Sequence, residues 1–376
     1  MKTKSILFIF FAIAFKTASS QCSKVTVAAI SNFVTFSIDS VLESNGMRNG
    51  PDYKGATLYY PVKGSGNYKS IVLVPGYLAA QTSVASWGRF FASHGFVAMA
   101  IGTNNTSDQP ELRAKALLDA MVTLKLENKR IASPLHNNLD TNNVAVGGWS
   151  MGGGGAQLAS VLDKRVKAVF AIAPWLDNSK LIAANLNHSS PILIFSAQLD
   201  NVAPPAKHAN LHYDFTPATT QKVLFEIAKG DHSTGLSPSF GKGDLGNVAF
   251  AWMNLFLNDD SCYCKIVKND SMNQHVTASK FLTNVNCGVI ASVSENSSII
   301  GLSVYPNPTN GNFILKQNST TKIEIKIHNI FGELIYKTEL CNQQTTIDLS
   351  KEAKGIYFLN ATDNYKNVTC KKIIIE

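Results

Sequence analysis

Six short, continuous apolar runs alternate with helix-like segments between residues 55 and 260, and few folds accommodate that alternation. The runs lie at 71–74, 96–101, 144–147, 168–173, 192–197 and 223–227. A strand with one face in water alternates apolar and polar residues. A run that is apolar throughout belongs to a strand covered on both faces, as in a parallel sheet. Helices are predicted at 110–127, 152–162 and 248–257, the first with Leu112, Ala116, Met121 and Leu124 on one face. The fold class is therefore α/β, a doubly wound sheet. Residues 265–298 are polar and irregular, with a short closing strand near Val276 and then a linker. From residue 300 short strands and turn residues, including the stretch from Tyr305 to Gly311, predict a small C-terminal β-sandwich. The expected boundaries are 1–20 for a signal peptide, 21–291 for the α/β domain, 292–299 for a linker and 300–376 for the sandwich.

The first twenty residues carry Lys2 and Lys4, a short apolar run at 6–15 and the small residues Ala18-Ser19-Ser20 before Gln21. That is the pattern of a cleaved export signal. The run is about half the length a membrane span needs, which disfavours an anchor, and Ser19-Ser20-Gln21 is a poor match to a lipoprotein signal at Cys22. Cysteines 22, 262, 264, 287, 341 and 370 remain after cleavage, an even number that in an exported chain points to disulfides. Cys341 and Cys370, both in the last segment, are expected to pair. The formal charge of +8 falls to +5 without the leader, and most of the rest is spread over the two domains. That is too mild to argue for nucleic acid.

Gly148-Trp149-Ser150-Met151-Gly152 fits the G-x-S-x-G nucleophile elbow of α/β-hydrolases, and it stands where that motif must stand, between a strand and a Gly-started helix. A serine hydroxyl needs a base to take its proton. In this fold the partners follow in the order acid, then histidine, at the carboxyl ends of later strands. Asp200 and His232 occupy those places. Asp231 is the rival acid, but its adjacency to His232 would force an awkward fold-back. An oxyanion hole needs two backbone N–H groups: Met151 follows the nucleophile, and Tyr77 follows an early strand in Val74-Pro75-Gly76-Tyr77. His208 and His212 lie four apart on a helix and read as a solvated face, without an acidic partner motif for a metal. No cofactor and no metal are expected.

These residues resemble the bacterial polyester hydrolases, meaning cutinases and poly(ethylene terephthalate) hydrolases, over roughly residues 50–288. The resemblance is carried by Gly55-Ala56-Thr57-Leu58-Tyr59-Tyr60-Pro61, Val74-Pro75-Gly76-Tyr77, Gly148-Trp149-Ser150-Met151-Gly152-Gly153-Gly154-Gly155, Ala173-Pro174-Trp175, Asp200-Asn201-Val202-Ala203-Pro204 and Val248-Ala249-Phe250-Ala251-Trp252-Met253, in the family's order. It implies a triad of Ser150, Asp200 and His232, oxyanion donors at Tyr77 and Met151, and an aromatic clamp of Tyr77 and Trp175. Trp149 and Val202 complete the substrate-binding set it implies. It also implies a disulfide from Cys262 or Cys264 to Cys287, the other being available to Cys22. Gln198, Leu78 and Asp231 depart from the family pattern, which bears on substrate preference and on any cation site.

Residues 300–376 resemble the C-terminal sorting domain of the type IX secretion system, through Val304-Tyr305-Pro306-Asn307-Pro308, Ile330-Phe331-Gly332 and Gly355-Ile356-Tyr357-Phe358. The expected protein is a secreted, monomeric carboxylic ester hydrolase acting on polyesters, with the export machinery as partner. The alternatives are a lipase or short-chain carboxylesterase with the same triad, and an inactive surface-binding domain.

Overall fold

The structure, a computed structural model, describes Cys22 and residues 25–31, 35–62, 64, 66–268, 277–287, 302–317, 322–364 and 368–376. The expected leader, the linker and Val276 itself lie outside them. The chain divides into two compact units between Gly288 and Val289.

The first unit runs α1 (Val27–Ser31), β1 (Ile38–Leu42), β2 (Ala56–Pro61), β3 (Tyr68–Val74), α2 (Ala85–Ser93), β4 (Val97–Ile101), α3 (Pro110–Glu127), β5 (Leu139–Trp149), α4 (Met151–Leu162), β6 (Val166–Ile172), β7 (Ile192–Ala197), α5 (Ala209–Phe215), β8 (Lys222–Ile227), α6 (Phe240–Leu257), α7 (Cys264–Val267) and β9 (Ala278–Thr283). Its nine strands form one sheet in the order β1-β2-β4-β3-β5-β6-β7-β8-β9. From β4 to β8 every neighbouring pair is parallel. β1, β2 and β9 join antiparallel at the two ends.

Side chains alternate across the pleat into two cores. On β3, Ile71 and Leu73 face the core beneath α2 and α6, while Val72 and Val74 face the one beneath α3 and α4. Both faces being dry, the parallel strands read as unbroken apolar runs. β1 and β2 are not among the strands the sequence predicts: β1 is largely exposed and has no apolar run, while β2 is buried but mixes Thr57, Tyr59 and Tyr60 with apolar residues. The closing strand expected near Val276 has its counterpart in the half-buried β9, which begins at Ala278.

Helix α3 begins with Pro110 at its first position, where the missing N–H costs nothing. Its inner face holds Ala114, Ala116, Leu117, Ala120, Met121 and Leu124. Leu112, expected on that face, is 47% exposed, because the stripe is set one residue further along, from Arg113.

The second unit is a sandwich of antiparallel strands: β10 (Leu302–Tyr305), β11 (Asn312–Gln317), β12 (Ile323–Asn329), β13 (Leu334–Leu340), β14 (Gln344–Asp348), β15 (Gly355–Asp363) and β16 (Val368–Ile375). One sheet has the order β10-β11-β14 and the other β13-β12-β15-β16. Phe313, Leu315, Ile325, Ile327, Leu359 and Ile373 fill the space between them.

The disulfides are Cys22–Cys262 and Cys264–Cys287, which settles the choice left open between Cys262 and Cys264. The expected Cys341–Cys370 bond is absent. Cys341 follows β13 and Cys370 lies in β16, at opposite edges of a four-stranded sheet. Three strand spacings, roughly 14 Å, exceed what a disulfide spans. The Cys22–Cys262 bond closes a separation of 240 residues. Replacing both cysteines by serine should lower the unfolding free energy by about 2–5 kcal/mol. Urea melts check this, and an unchanged midpoint would mean that the N-terminal segment is already held by its non-covalent contacts.

Candidate active site

Ser150 is the single residue between the end of β5 and the start of α4. Its backbone sits at φ 56° and ψ −120°, a region that residues with side chains avoid. The N–H donates to the Ile172 carbonyl at 2.8 Å, and the Ser150 carbonyl accepts from Gly153 at 2.9 Å, Trp175 at 2.9 Å and Gly154 at 3.1 Å. The motif glycine earns its place by close approach: a Cβ on Gly152 would lie 2.4 Å from the Val74 carbonyl oxygen and 2.5 Å from that of Pro75.

Asp200 follows β7 and His232 follows β8, so neighbouring parallel strands deliver both to the carboxyl edge of the sheet. His232 Nδ1 donates to Asp200 Oδ2 at 2.7 Å. A carboxylate only accepts, so this bond puts the proton on Nδ1 and the lone pair on Nε2. Asp200 Oδ1 accepts from the N–H groups of Val202 at 2.9 Å and Ala203 at 2.8 Å. Burial pushes the Asp200 carboxyl up, but the His232 bond and charge and the two N–H groups outweigh it, and the net direction is down. His232 Nε2 is buried and has no hydrogen-bond partner, so no bond to Ser150 Oγ is closed. Such bonds are commonly long before substrate arrives.

Asp231 is occupied elsewhere. Its Oδ1 accepts from Ser233 N and Oγ and from Thr234 N and Oγ1, all between 2.8 and 3.0 Å. It fixes the turn that follows His232 rather than the imidazole.

The other expected site residues gather around the same edge. Trp175 donates its N–H to the Ser150 carbonyl. Tyr77 follows Gly76, where a Cβ would come 2.9 Å from Ser150 Cβ. Neither the Tyr77 N–H nor the Met151 N–H donates to a protein acceptor among the described residues. Val202 is exposed beside Asp200. Trp149 makes a contact that its sequence did not signal: its indole N–H donates to the His232 carbonyl at 2.8 Å, with the ring centroid 5.2 Å from the imidazole.

His208 and His212 correct the expectation of a solvated face, since both are buried. His208 stacks on Trp175, with centroids 5.9 Å apart and planes 29° apart. His212 Nδ1 meets Gln157 Oε1 at 2.7 Å, and Gln157 Nε2 lies 3.2 Å from His188 Nε2. Alternation cannot reveal such a network, because each histidine alone looks like any polar surface residue. No cluster of three or more metal-ligating side chains occurs among the described residues.

Known proteins bear on this geometry. A family model described as PET hydrolase-like matches residues 20–287, and one described as a secretion system C-terminal sorting domain matches residues 303–376. Cutinase est1 of Thermobifida alba is 34% identical over 232 residues, covering 61% of this chain and 74% of that protein. Cutinase cut1 of Thermobifida fusca is 34% identical over 232 residues, 61% of this chain and 68% of its own length. A bis(hydroxyethyl) terephthalate hydrolase of Streptomyces coelicolor is 33% identical over 213 residues, 56% of this chain and 64% of its own. Fold and relatives define a carboxylic ester hydrolase of the α/β-hydrolase type. The chain belongs to the PET hydrolase-like family. Its C-terminal unit is a sorting domain of the type IX route, which makes it a secreted, extracellular protein.

Two outcomes follow from the site. Asp200→Asn should reduce kcat by several orders of magnitude by favouring the wrong imidazole tautomer, and Asp231→Asn should cost far less; steady-state kinetics on p-nitrophenyl butyrate compare them, and a reversed order would make Asp231 the acid. The second concerns pH. Burial holds His188 down to about 4 and His212 down to about 3. An unfolded histidine protonates near pH 6.5, as the native ones do not. Their contribution to stability is complete above about pH 6.5 and is lost as pH falls toward the folded values, by up to about 1.4 kcal/mol per pH unit for each. His212→Gln should flatten this slope by one proton in denaturant melts between pH 7 and 5. A slope equal to wild type would mean that His212 is protonated in the native state.

Proposed function

We propose that the chain hydrolyses ester bonds of polyesters through an acyl-enzyme on Ser150. The observation that carries this reading is the buried Asp200–His232 hydrogen bond at the sheet edge where the strained Ser150 stands. Ser150 Oγ attacks the ester carbonyl carbon, and its proton passes to His232 Nε2. The carbonyl oxygen becomes an oxyanion and takes the N–H groups of Tyr77 and Met151. As the tetrahedral adduct collapses, the alkoxide leaves with the proton from His232. Water, deprotonated by the same nitrogen, then attacks the acyl carbon, and the carboxylic acid and free Ser150 are released. Asp200 holds the tautomer and balances the imidazolium charge.

A polymer rather than a small ester is supported by the rim. Tyr77 is 50% exposed, Val202 57%, and Leu78 and Leu199 64% each. Tyr77 is the oxyanion residue itself and Leu78 follows it, while Leu199 and Val202 lie one and two residues from Asp200. Exposed apolar groups gathered at a site mark a surface that meets another apolar surface. The relatives named as cutinases and as a terephthalate ester hydrolase point the same way. Trp175, backed by His208, offers a flat face for an acyl ring.

Ser150→Ala should abolish p-nitrophenyl butyrate hydrolysis and fluorophosphonate labelling without loss of fold. Trp175→Ala should weaken turnover of poly(ethylene terephthalate) film more than that of tributyrin, since stacking is worth roughly 0.5–1.5 kcal/mol beyond area burial. Equal losses on both substrates would favour a short-chain esterase.

A further inference from the structure

Arg113 is wholly buried on α3, at 0% exposure. A buried guanidinium ordinarily meets a carboxylate, because a charge taken out of water is strongly unfavourable unless it is compensated. This one meets none among the described residues. It donates instead to three backbone carbonyls: Nη1 to Pro75 at 2.9 Å, Nη2 to Thr106 at 2.8 Å and Nε to Asp108 at 2.9 Å. Asp108 offers only its carbonyl to the fork, while its carboxylate accepts from the Asn105 N–H at 3.0 Å. Burial lowers the Arg113 pKa to about 10, against the pull of the Asp108 charge, so the group remains a cation at neutral pH.

The three carbonyls show what the buried charge holds. Pro75 stands two residues before Tyr77. Thr106 stands on the other side of it, since its carbonyl also accepts the Leu78 N–H at 2.8 Å. Leu78 has φ 55°, a left-handed conformation that a leucine adopts only when its surroundings impose it. Tyr77 is thus clamped fore and aft: Pro75 is held by the guanidinium directly, and Leu78 through an oxygen that the guanidinium shares. The approach of α3 to α4 that permits this depends on Gly155, where a Cβ would lie 2.9 Å from Arg113 Cβ and 2.9 Å from the Pro110 carbonyl oxygen.

We propose that Arg113 is the positioning residue of the oxyanion hole, fixing the direction of the Tyr77 N–H by fastening the two loops that flank it. It touches no substrate. The proposal rests on the assignment of Ser150 as nucleophile and Tyr77 as oxyanion donor. Removing an oxyanion donor outright costs about 10²–10³ in kcat, so misdirecting one should cost roughly 10- to 100-fold.

Arg113→Lys keeps the buried charge but loses the planar fork. On p-nitrophenyl butyrate its kcat should fall roughly 10- to 100-fold with KM within about twofold. The inhibition constant of a phenylboronic acid, which forms a tetrahedral anionic adduct on an active serine, should rise by the same factor as kcat falls. A merely structural arginine would lower the melting temperature and leave both ratios unchanged well below it, and that result overturns the proposal. Should Arg113→Lys fail to fold, Gly155→Ala decides. It keeps the guanidinium but displaces it, and should show the same pattern more weakly; unchanged kcat with intact fold would again overturn the idea. Labelling of the wild type by a fluorophosphonate, lost in Ser150→Ala, separates this outcome from failure of the Ser150 assignment.

Discussion

The carbonyl of Ser150 accepts N–H groups from Gly153, Gly154 and Trp175, while its own N–H is spent on Ile172. A residue held at φ 56° costs on the order of 1–3 kcal/mol and persists only where its surroundings over-determine it. Here the over-determination comes from three directions. Gly153 and Gly154 lie in the first turn of α4, Ile172 ends β6, and Trp175 lies in the loop after β6. Any relaxation of this turn would release the helix start, the strand neighbour and the aromatic face together. The same turn is pressed from above by the loop after β3, which the lack of a side chain at Gly76 allows to touch Ser150. One strained backbone thus sets the coordinates for the hydroxyl, for the Met151 N–H and for Trp175.

The histidine is referred to the same frame by a separate route. Trp149, one residue before Ser150, donates to the His232 carbonyl. Asp200 takes Nδ1, and the Asp231 turn fixes the chain immediately after. Backbone and ring are therefore fastened independently, which leaves Nε2 as the one buried polar atom of His232 without a partner. A buried nitrogen without a hydrogen bond is unfavourable by roughly 1–3 kcal/mol, and under the proposed mechanism it is the atom that would receive the proton of Ser150.

What could be read in the sequence follows from where water is. The carboxyl-terminal stretches of β3 to β8 are dry on both faces, so their apolar runs are unbroken and their carboxyl ends are legible, and 192–197 coincides with β7 itself; the wetter starts of β3 and β5 lie three and five residues before the predicted runs. The places of Ser150, Asp200 and His232 follow from those ends, because each lies a few residues or fewer past one. The edges were harder. β1 is largely exposed and carries no periodic signal that separates it from a loop, and the half-buried β9 leaves only a weak one, a few residues off its true start. Polar residues that the fold buries were harder still. His212 and Arg113 stand on helices as any solvated side chain would, and only the tertiary structure reveals that Gln157 meets the one and three carbonyls the other. The cysteines fall between these cases: an even count and an export signal imply disulfides, but only the placement of β13 and β16 at opposite sheet edges excludes a bond from Cys341 to Cys370.

Arg113 and His212 share a logic that separates them from the rest of the core. Each is a group that water would hold more comfortably, placed where burial shifts its proton equilibrium toward the neutral form. Yet they end in different charge states near pH 7. The guanidinium begins so far above neutrality that burial cannot strip its proton, whereas an imidazole begins near 6.5 and loses it at once. The cation can therefore hold three carbonyls without a counter-charge, and the neutral ring can lie beside an amide without importing one. Reversing the two would fail: a neutral imidazole has one donor where Arg113 meets three carbonyls, and a cation at the wholly buried position 212, beside His208, would give up its water with no carboxylate among the described residues in return. The residue types at these two buried positions thus follow from what each must bond and from what burial does to each proton.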